Sequence, residues 1–307
     1  MNINEILQRY LAGERDFQHV CLSQAFLSGV DLSHADFSYG NFNSAELSNT
    51  NLSSSKLLGT DFNRANLHRA NLNSVILLHS CLFWANLSST NLSNANLESA
   101  KLNHARMESV CLSQANLTEA CLERVNLTEA DLNQANLFKA TLKASNCAQA
   151  NFDDANLSQT NWEGAILTNA LLRGVDLEKA QLNETILKSA DLTEADLIAA
   201  DLNNADLSKA ILRQASLELS CLQNADLSQA DLEGASLFKA NLKGVVLEGA
   251  NLRNTDLRHA NLKNAQLQGV DFSHCRVKGA LFTEVSGLNS QQKQWLRANG
   301  ALNISNF

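Results

Sequence analysis

Apolar residues recur at every fifth position of this chain, from Phe17 to Phe282, without an insertion or a deletion. The series begins Phe17, Leu22, Leu27 and contains 54 such centres. Two residues before nearly every centre stands a small residue, most often Ala, with Val, Thr or Ser in most of the remaining repeats. The other three positions are mainly polar. The chain therefore repeats the pattern A-[D/N]-L-x-x.

A period of five fits neither an α-helix nor a flat strand. On a helix it moves the apolar residue by about 140° each time, and on a strand an odd period alternates between the two faces. A chain that turns a corner after every repeat keeps each centre inside, and four successive repeats close a square coil. The pattern predicts an all-β solenoid of short parallel strands. Coils spaced about 4.8 Å apart would give a rod of roughly 65 Å.

The repeat itself carries a family resemblance. The strings Ala95-Asn96-Leu97, Ala115-Asn116-Leu117 and Ala195-Asp196-Leu197 resemble the pentapeptide repeat proteins, and the match covers about residues 15–285. This resemblance implies a right-handed quadrilateral parallel β-helix and no family-wide catalytic activity. The segments 9–17 and 287–296 are similar to those of cyanobacterial members.

Both ends of the repeat are expected to carry caps, because a solenoid leaves an unpaired strand edge at each terminus. Apolar residues from Ile3 to Leu11 follow helical spacing and predict a helix over 3–12 that ends at Gly13. At the other end Ser290 is expected to cap a helix carrying Trp295 inward. We expect three parts: an N-terminal capping helix in 1–16, the β-helix in 17–285, and a C-terminal capping helix and tail in 286–307.

Nothing in the sequence indicates an enzyme. The carboxylates are spread over the repeat, a filled interior leaves no cleft, and no phosphate-binding or nucleophile motif occurs. We expect no catalytic, metal or cofactor-binding residues. The repeat also separates the seven cysteines: Cys81 and Cys121, the nearest pair in one column, would lie about 9.6 Å apart, beyond the reach of a disulfide. Seven free thiols and a reducing compartment are expected.

The segment from Met1 to Glu5 does not resemble a signal peptide, and no apolar run approaches the roughly 18 residues of a membrane span. Cytoplasmic localisation is therefore expected. The net charge is −8, which disfavours direct binding to nucleic acid.

Charge is distributed unevenly. Residues 153–233 carry 15 acidic and 5 basic side chains, whereas residues 234–307 carry 4 and 9. The acidic segment contains a candidate acidic belt of seven aspartates on different faces of the coil: Asp176, Asp191, Asp196, Asp201, Asp206, Asp226 and Asp231. Some pentapeptide repeat proteins bind DNA gyrase as DNA mimics, and such a belt is the feature that this function would use.

A second candidate surface is an apolar stripe. On one of the four faces, the position directly after the centre carries Leu58, Leu78, Phe138, Ile198 and Phe238. Phe83 and Trp84 fall on a neighbouring face and could extend it. The stripe is interpreted either as a contact face for a partner or as drift on a tolerant scaffold.

The sequence thus favours a non-enzymatic, rod-like scaffold or protein-interaction module, whose partner is an unidentified protein or a second copy. The alternative is a DNA mimic that binds a type II topoisomerase, namely gyrase. A projecting loop or a continuous acidic face would favour the alternative, and the unbroken repeat offers neither.

Overall fold

The computed structural model describes residues 3–305. Two compact units, Met1–Asn156 and Leu157–Phe307, divide the chain. Each consists of coils of four repeats, with one repeat on each face, and each is a right-handed quadrilateral parallel β-helix, as the pattern predicts. The secondary structure consists of single parallel bridges between equivalent residues of successive coils: from Asp16↔Asp36 to Asn136↔Asn156 in the first unit, and from Asn161↔Gln181 to Gln266↔Ser286 in the second.

The five positions of the repeat have distinct structural roles. The residue directly before the centre forms the bridge, and we call it the bridge position; the two residues after the centre are the first and second turn positions. Centres and small residues are buried: Leu197 is 0% exposed and Ala195 is 0% exposed. The odd centres Met107, Cys147, Trp162 and Val277 are buried as well, so they pack in the interior like the leucines.

Backbone hydrogen bonds connect successive coils. The N–H of Leu197 donates to the carbonyl of Ser216 at 2.7 Å, and the N–H of Ser216 donates back to the carbonyl of Ala195 at 2.9 Å. The same pair of bonds recurs throughout each unit. Since a proline would remove one of these donors, its absence from the chain is accounted for.

The second turn position adopts a left-handed backbone conformation. Side chains as different as Ser109 and His104 stand there at φ 52° and 62°, and this is the rule along the repeat. A β-branched residue is strained in this region. Accordingly no Val, Ile or Thr occupies any second turn position from His19 to Glu284.

A helix lies at each end. Helix α1 spans Ile3–Leu11, in agreement with the predicted helix over 3–12. Its Ile6 is fully buried, and the hydroxyl of Tyr10 donates to the carbonyl of Ser33 at 3.0 Å. The helix therefore packs on the first coil of its unit.

Helix α2 spans Ser290–Ala298. Its N-cap is Asn289 and not Ser290, because the Asn289 side chain accepts the N–H of Gln292 while the Gln292 side chain accepts the N–H of Asn289. Leu296 is buried, whereas Trp295 is only half-buried. After the helix, Leu302 forms a parallel bridge with Leu281, so the last coil gains a further paired segment.

Candidate interaction surface

The aspartates of the acidic belt all occupy bridge positions, and each is only partly exposed. The Oδ1 atom of each accepts the backbone N–H of the first turn position two residues later, as from Ile198 to Asp196 at 2.9 Å and from Ser208 to Asp206 at 2.9 Å. The same bond is present at Asp176, Asp191, Asp201, Asp226 and Asp231. These carboxylates therefore stabilise the turns, whatever else they contact.

The belt is distributed over all four faces. Asp176 bridges to Asp196 on one face and Asp206 to Asp226 on another. Asp191 and Asp231 flank Ile211 on a third, and Asp201 lies between Gln181 and Cys221 on the fourth. Within the belt, an uninterrupted row of carboxylates at bridge positions is never longer than two.

The apolar stripe is interrupted in the first unit. Leu58 and Leu78 occupy adjacent coils, but Glu98 and Thr118 separate them from Phe138. All three apolar side chains are half-buried. The ammonium of Lys139 lies 5.0 Å from the centre of the Phe138 ring. The stripe here is a partly covered surface and not a continuous hydrophobic patch.

In the second unit the stripe consists of Ile198 and Phe238, with Glu218 between them. Both apolar side chains are half-buried. Two cations contact the Phe238 ring, with the Lys239 Nζ 5.1 Å and the Arg258 Cζ 5.3 Å from its centre. This part of the stripe is therefore aromatic and basic together.

Several of the most exposed large apolar residues of the coils lie at second turn positions, outside the apolar stripe. Trp84 is 60% exposed, Leu219 55% and Tyr39 53%. Trp84 stacks on His104 with a 4.3 Å ring separation, and Tyr39 stacks on His19 at 5.3 Å. Phe83, by contrast, is half-buried. The left-handed backbone directs the second turn residue outward, so a large apolar residue at this position is the sequence signal for an exposed side chain.

A further apolar group lies at bridge positions of the second unit. Ile166 pairs with Ile186 on one face, while Leu171 and Ile211 flank Asp191 on the next face. Each of the four is more exposed than the stripe residues. These four residues are recognisable in the sequence, because the other bridge positions are mostly Asn or Asp.

The repeat is also recognised by comparison with known families. The model of the family described as pentapeptide repeats matches this chain in eight copies, at residues 16–49, 45–77, 80–118, 120–159, 150–188, 190–229, 222–254 and 246–283. The chain belongs to the pentapeptide repeat family. Among curated proteins no match is found.

Several solved structures of pentapeptide repeat proteins are similar to this chain. HetL, which is involved in heterocyst differentiation regulation in the cyanobacterium Nostoc sp. strain PCC 7120, is 31% identical; the alignment covers 91% of this chain and 96% of HetL, with a TM-score of 0.30. The Nostoc protein alr5209 is 32% identical over 34% of this chain and 80% of its own, with a TM-score of 0.26. QnrB1, a plasmid-mediated fluoroquinolone resistance protein, is 16% identical; the alignment covers 79% of this chain and 95% of QnrB1, with a TM-score of 0.27.

The concave features of this pentapeptide repeat surface are open grooves, and one near helix α1, lined by Arg9, Glu14 and Phe17 among others, measures about 730 Å³. A groove of about 230 Å³ lies between helix α2 and the coils and is lined by Val270, Phe272 and Trp295, with Asp271 as its one carboxylate. Within residues 3–305, no group of three or more His, Cys, Asp or Glu side chains could hold a metal ion. No helix in the same range is long and apolar enough to cross a membrane.

One ion-pair cluster stands out in the basic segment of the second unit. Arg258 donates to both carboxylate oxygens of Asp256, and Arg276 approaches the same carboxylate at 3.2 Å. Burial alone would raise the pKa of Asp256, but the hydrogen bonds from Arg258 and the charge of Arg276 hold this pKa below its usual range. The cluster therefore stays ionised and fixes Arg258 beside Phe238.

Proposed function

We propose that this pentapeptide repeat protein is a non-enzymatic protein-interaction module. The observation that carries the proposal is the combination of a filled interior with large apolar side chains exposed on a regular backbone, above all Trp84 and Leu219. Exposed aromatic and aliphatic side chains on a rigid support are the features through which proteins bind one another at little entropic cost. The partner is an unidentified protein or a second copy.

Capture from a cell lysate tests this proposal. The bait is the full chain, and the matched variants are Trp84→Ser and Gln134→Ser. Both replaced residues stand at left-handed second turn positions, where serine occurs repeatedly in this chain. We expect a specific protein to be retained by the native chain and by Gln134→Ser, and to be reduced at least tenfold by Trp84→Ser.

The apolar stripe is tested in the same experiment by changing Leu58, Leu78 and Phe138 together to Ser. The fold should survive, because these side chains lie outside the core. If the captured proteins are the same for native chain, stripe variant and Trp84→Ser, neither surface is the binding face. The interaction proposal then fails for the first unit.

Binding of gyrase as a DNA mimic is less well supported. A mimic must present closely spaced negative charge, and its complex must weaken steeply with salt. The belt aspartates lie on four faces and are tied to their own turns. We expect no inhibition or protection of gyrase supercoiling at micromolar protein. Potent inhibition that is lost on changing the seven belt aspartates to Asn would make the mimic the better hypothesis.

A further inference from the structure

The last repeat on one face of the second unit has an open backbone edge. In the coil before it, the N–H of Leu252 donates to the carbonyl of Asp271 at 3.1 Å, and the N–H of Asn254 donates to the carbonyl of Ser273 at 2.9 Å. A centre and a second turn position thus hold the following coil. The segment that would continue this face, from residue 291 onward, belongs instead to helix α2.

Phe272 and His274 carry the corresponding donors of this last repeat. Within residues 3–305, neither backbone N–H has a hydrogen-bond acceptor. Phe272 is only 6% exposed, and unpaired N–H groups are rare at buried residues of native proteins. The fold therefore leaves two backbone donors, two residues apart, directed toward the end of the coil where α2 lies.

The other three faces of the last coil are extended by the chain itself. Each keeps a backbone bond from an N–H of the last coil to a later carbonyl: Leu267 to Ser286 at 2.9 Å, Gly279 to Gly300 at 2.8 Å, and Phe282 to Leu302 at 3.0 Å. On three faces, then, a later segment of the chain supplies the acceptor that segment 271–274 lacks.

An apolar groove lies beside the two unpaired donors. It is the groove of about 230 Å³ lined by Val270, Phe272 and Trp295, and we call it the α2 groove. Its one carboxylate, Asp271, accepts hydrogen bonds from the hydroxyl and the N–H of Ser273, which hold the pKa of Asp271 below its usual range. The negative charge of Asp271 disfavours an anion at the neighbouring donors. The groove is therefore suited to an uncharged, apolar group that carries hydrogen-bond acceptors.

One bond of an added strand is already made by a side chain of α2. In a continuing coil, the N–H of the next bridge residue donates to the carbonyl of the small residue, as Asp271 donates to Ala250 at 3.4 Å. At Val270 the Nε2 of Gln292 takes this role, at 3.0 Å. A strand added here needs only two carbonyls, two residues apart. In the register of the coil, the side chain between those carbonyls faces inward, toward the apolar lining.

The described end of the chain does not supply these carbonyls. The carbonyl of Ser305 accepts a hydrogen bond from the guanidinium of Arg297 at 2.7 Å. Arg297 lies two residues after Trp295 and so about 200° around the helix from it. The segment that ends at Ser305 thus lies on a different side of α2 from the groove.

We propose that the α2 groove binds an extended peptide segment of a partner protein, which adds to segment 271–274 as a parallel strand. The bound segment places an apolar side chain between two carbonyls that accept the N–H groups of Phe272 and His274. The inference goes beyond the proposed function, because it concerns a different surface from those of Trp84 and the apolar stripe and names the kind of ligand that this surface takes.

The probe is a peptide with the sequence of one repeat of this chain. Residues 250–254, Ala-Asn-Leu-Arg-Asn, already accept such bonds within the coils, at the carbonyls of Asn251 and Arg253. The peptide is acetylated and amidated at its ends, and its control carries Leu252→Ser. Because the contact is short, we expect a Kd on the order of 0.1–1 mM for the leucine peptide and at least fivefold weaker binding of the control.

Amide hydrogen exchange of the full chain, resolved by residue with NMR, detects strand addition directly. With saturating leucine peptide, exchange at Phe272 and His274 should slow at least tenfold, whereas Leu252, which is bonded within the coils, should not change. The variant Trp295→Ser should weaken binding at least fivefold. Its matched control is Gln294→Ser, an exposed position of the same helix outside the groove lining. Circular dichroism and thermal melting check that both variants fold.

Several results overturn the proposal. Exchange at Phe272 and His274 that is unchanged by millimolar peptide shows that no strand is added, and equal binding of the two peptides shows that the apolar lining is not used. The peptide pair keeps the test decisive even where Trp295→Ser disturbs helix α2. Slow exchange in the dilute chain alone assigns the donors to the chain's own end, and exchange that slows only as the chain is concentrated assigns them to a second copy. Lysate capture with Trp84→Ser remains the separate test of the proposed function.

Discussion

The Nδ2 amide of Asn251 donates a 2.9 Å hydrogen bond to Oδ1 of Asp231, one coil earlier. Asn86 donates in the same way to Asn66 at 2.9 Å. An aspartate at the later position cannot donate, so the bridge between Asp206 and Asp226 sets two carboxylates against each other without such a donor. Like charges directly opposite in a ladder are destabilising.

Asp226→Asn should therefore stabilise the protein. The new amide can donate to Asp206, as Asn251 does to Asp231, and one repulsion is removed. We expect a gain of about 0.2–1 kcal/mol in the free energy of unfolding, measured by denaturant titration. Asp201→Asn is the control, because Gln181 and Cys221 lie opposite Asp201 and carry no carboxylate. An equal change in both variants would contradict the explanation.

The second turn position should reject β-branched side chains. Ser189 has a φ of 56°, and Ser189→Val should cost about 1–2 kcal/mol of stability because valine is strained in the left-handed region. Ser189→Gly should be neutral or stabilising. The neighbouring change Lys188→Val, at a first turn position, controls for the loss of polarity. Thermal unfolding of the three variants measures the difference; similar melting of both valine variants would be unexpected.

The small position should reject large side chains. Ala130 is 1% exposed, and Ala130→Trp should destabilise the protein by roughly 1–3 kcal/mol or more, because the small position leaves no room for an indole beside the neighbouring centres. Glu129→Gln changes the adjacent exposed residue and should have little effect. Chemical denaturation compares the two. An Ala130→Trp protein with native stability would mean that the interior is not filled.

Removal of residues 286–307 should expose the last coil. The deletion takes away the backbone bond from Gly279 to Gly300 and the bridge between Leu281 and Leu302, and it uncovers the coil beneath Leu296. An unpaired strand edge promotes association. We expect concentration-dependent aggregation in light scattering. A truncated chain that remains as dispersed as the native protein, with the same melting temperature, would show that the segment is a tail.

Thiol reactivity should follow burial. Cys21 is exposed, whereas burial raises the pKa of Cys147 to about 12 and that of Cys275 to about 12. At pH 8 both buried groups stay protonated, and the thiolate is the reactive form. Mass spectrometry after brief alkylation should find Cys21 modified first and the two buried cysteines only after unfolding. Early modification of Cys147 would contradict its place at a centre.

The sequence predicted the core because each core position has a single requirement. A centre such as Leu197 must fill the interior, and a residue such as Ala195 must leave room for it, so their identities are recognisable at a fixed spacing. Caps were predictable in position but not in detail. The helix expected to begin with a Ser290 cap starts one residue earlier, because Asn289 and Gln292 can bond each other reciprocally.

The candidate surfaces were harder to predict, because exposure depends on the backbone conformation of each outward position. Leu58 and Trp84 both follow a centre closely, yet the first is half-buried and the second is 60% exposed. The difference arises from the left-handed residue at the corner, which periodicity alone does not indicate. The absence of Val, Ile and Thr from the second turn position is the feature of the sequence that indicates its left-handed backbone.

The single repeat and the coil of four repeats impose different rules on change. Deleting one repeat from the second unit would preserve every inward contact type, since the next centre takes the place of the lost one. Every outward side chain beyond the deletion would, however, rotate by a quarter turn onto a neighbouring face, and Phe238 would no longer line up with Leu219. Only a loss or gain of four whole repeats keeps a surface in register. The fold can therefore accommodate a change of a single repeat, whereas an existing binding face is preserved only when the chain length changes by whole coils.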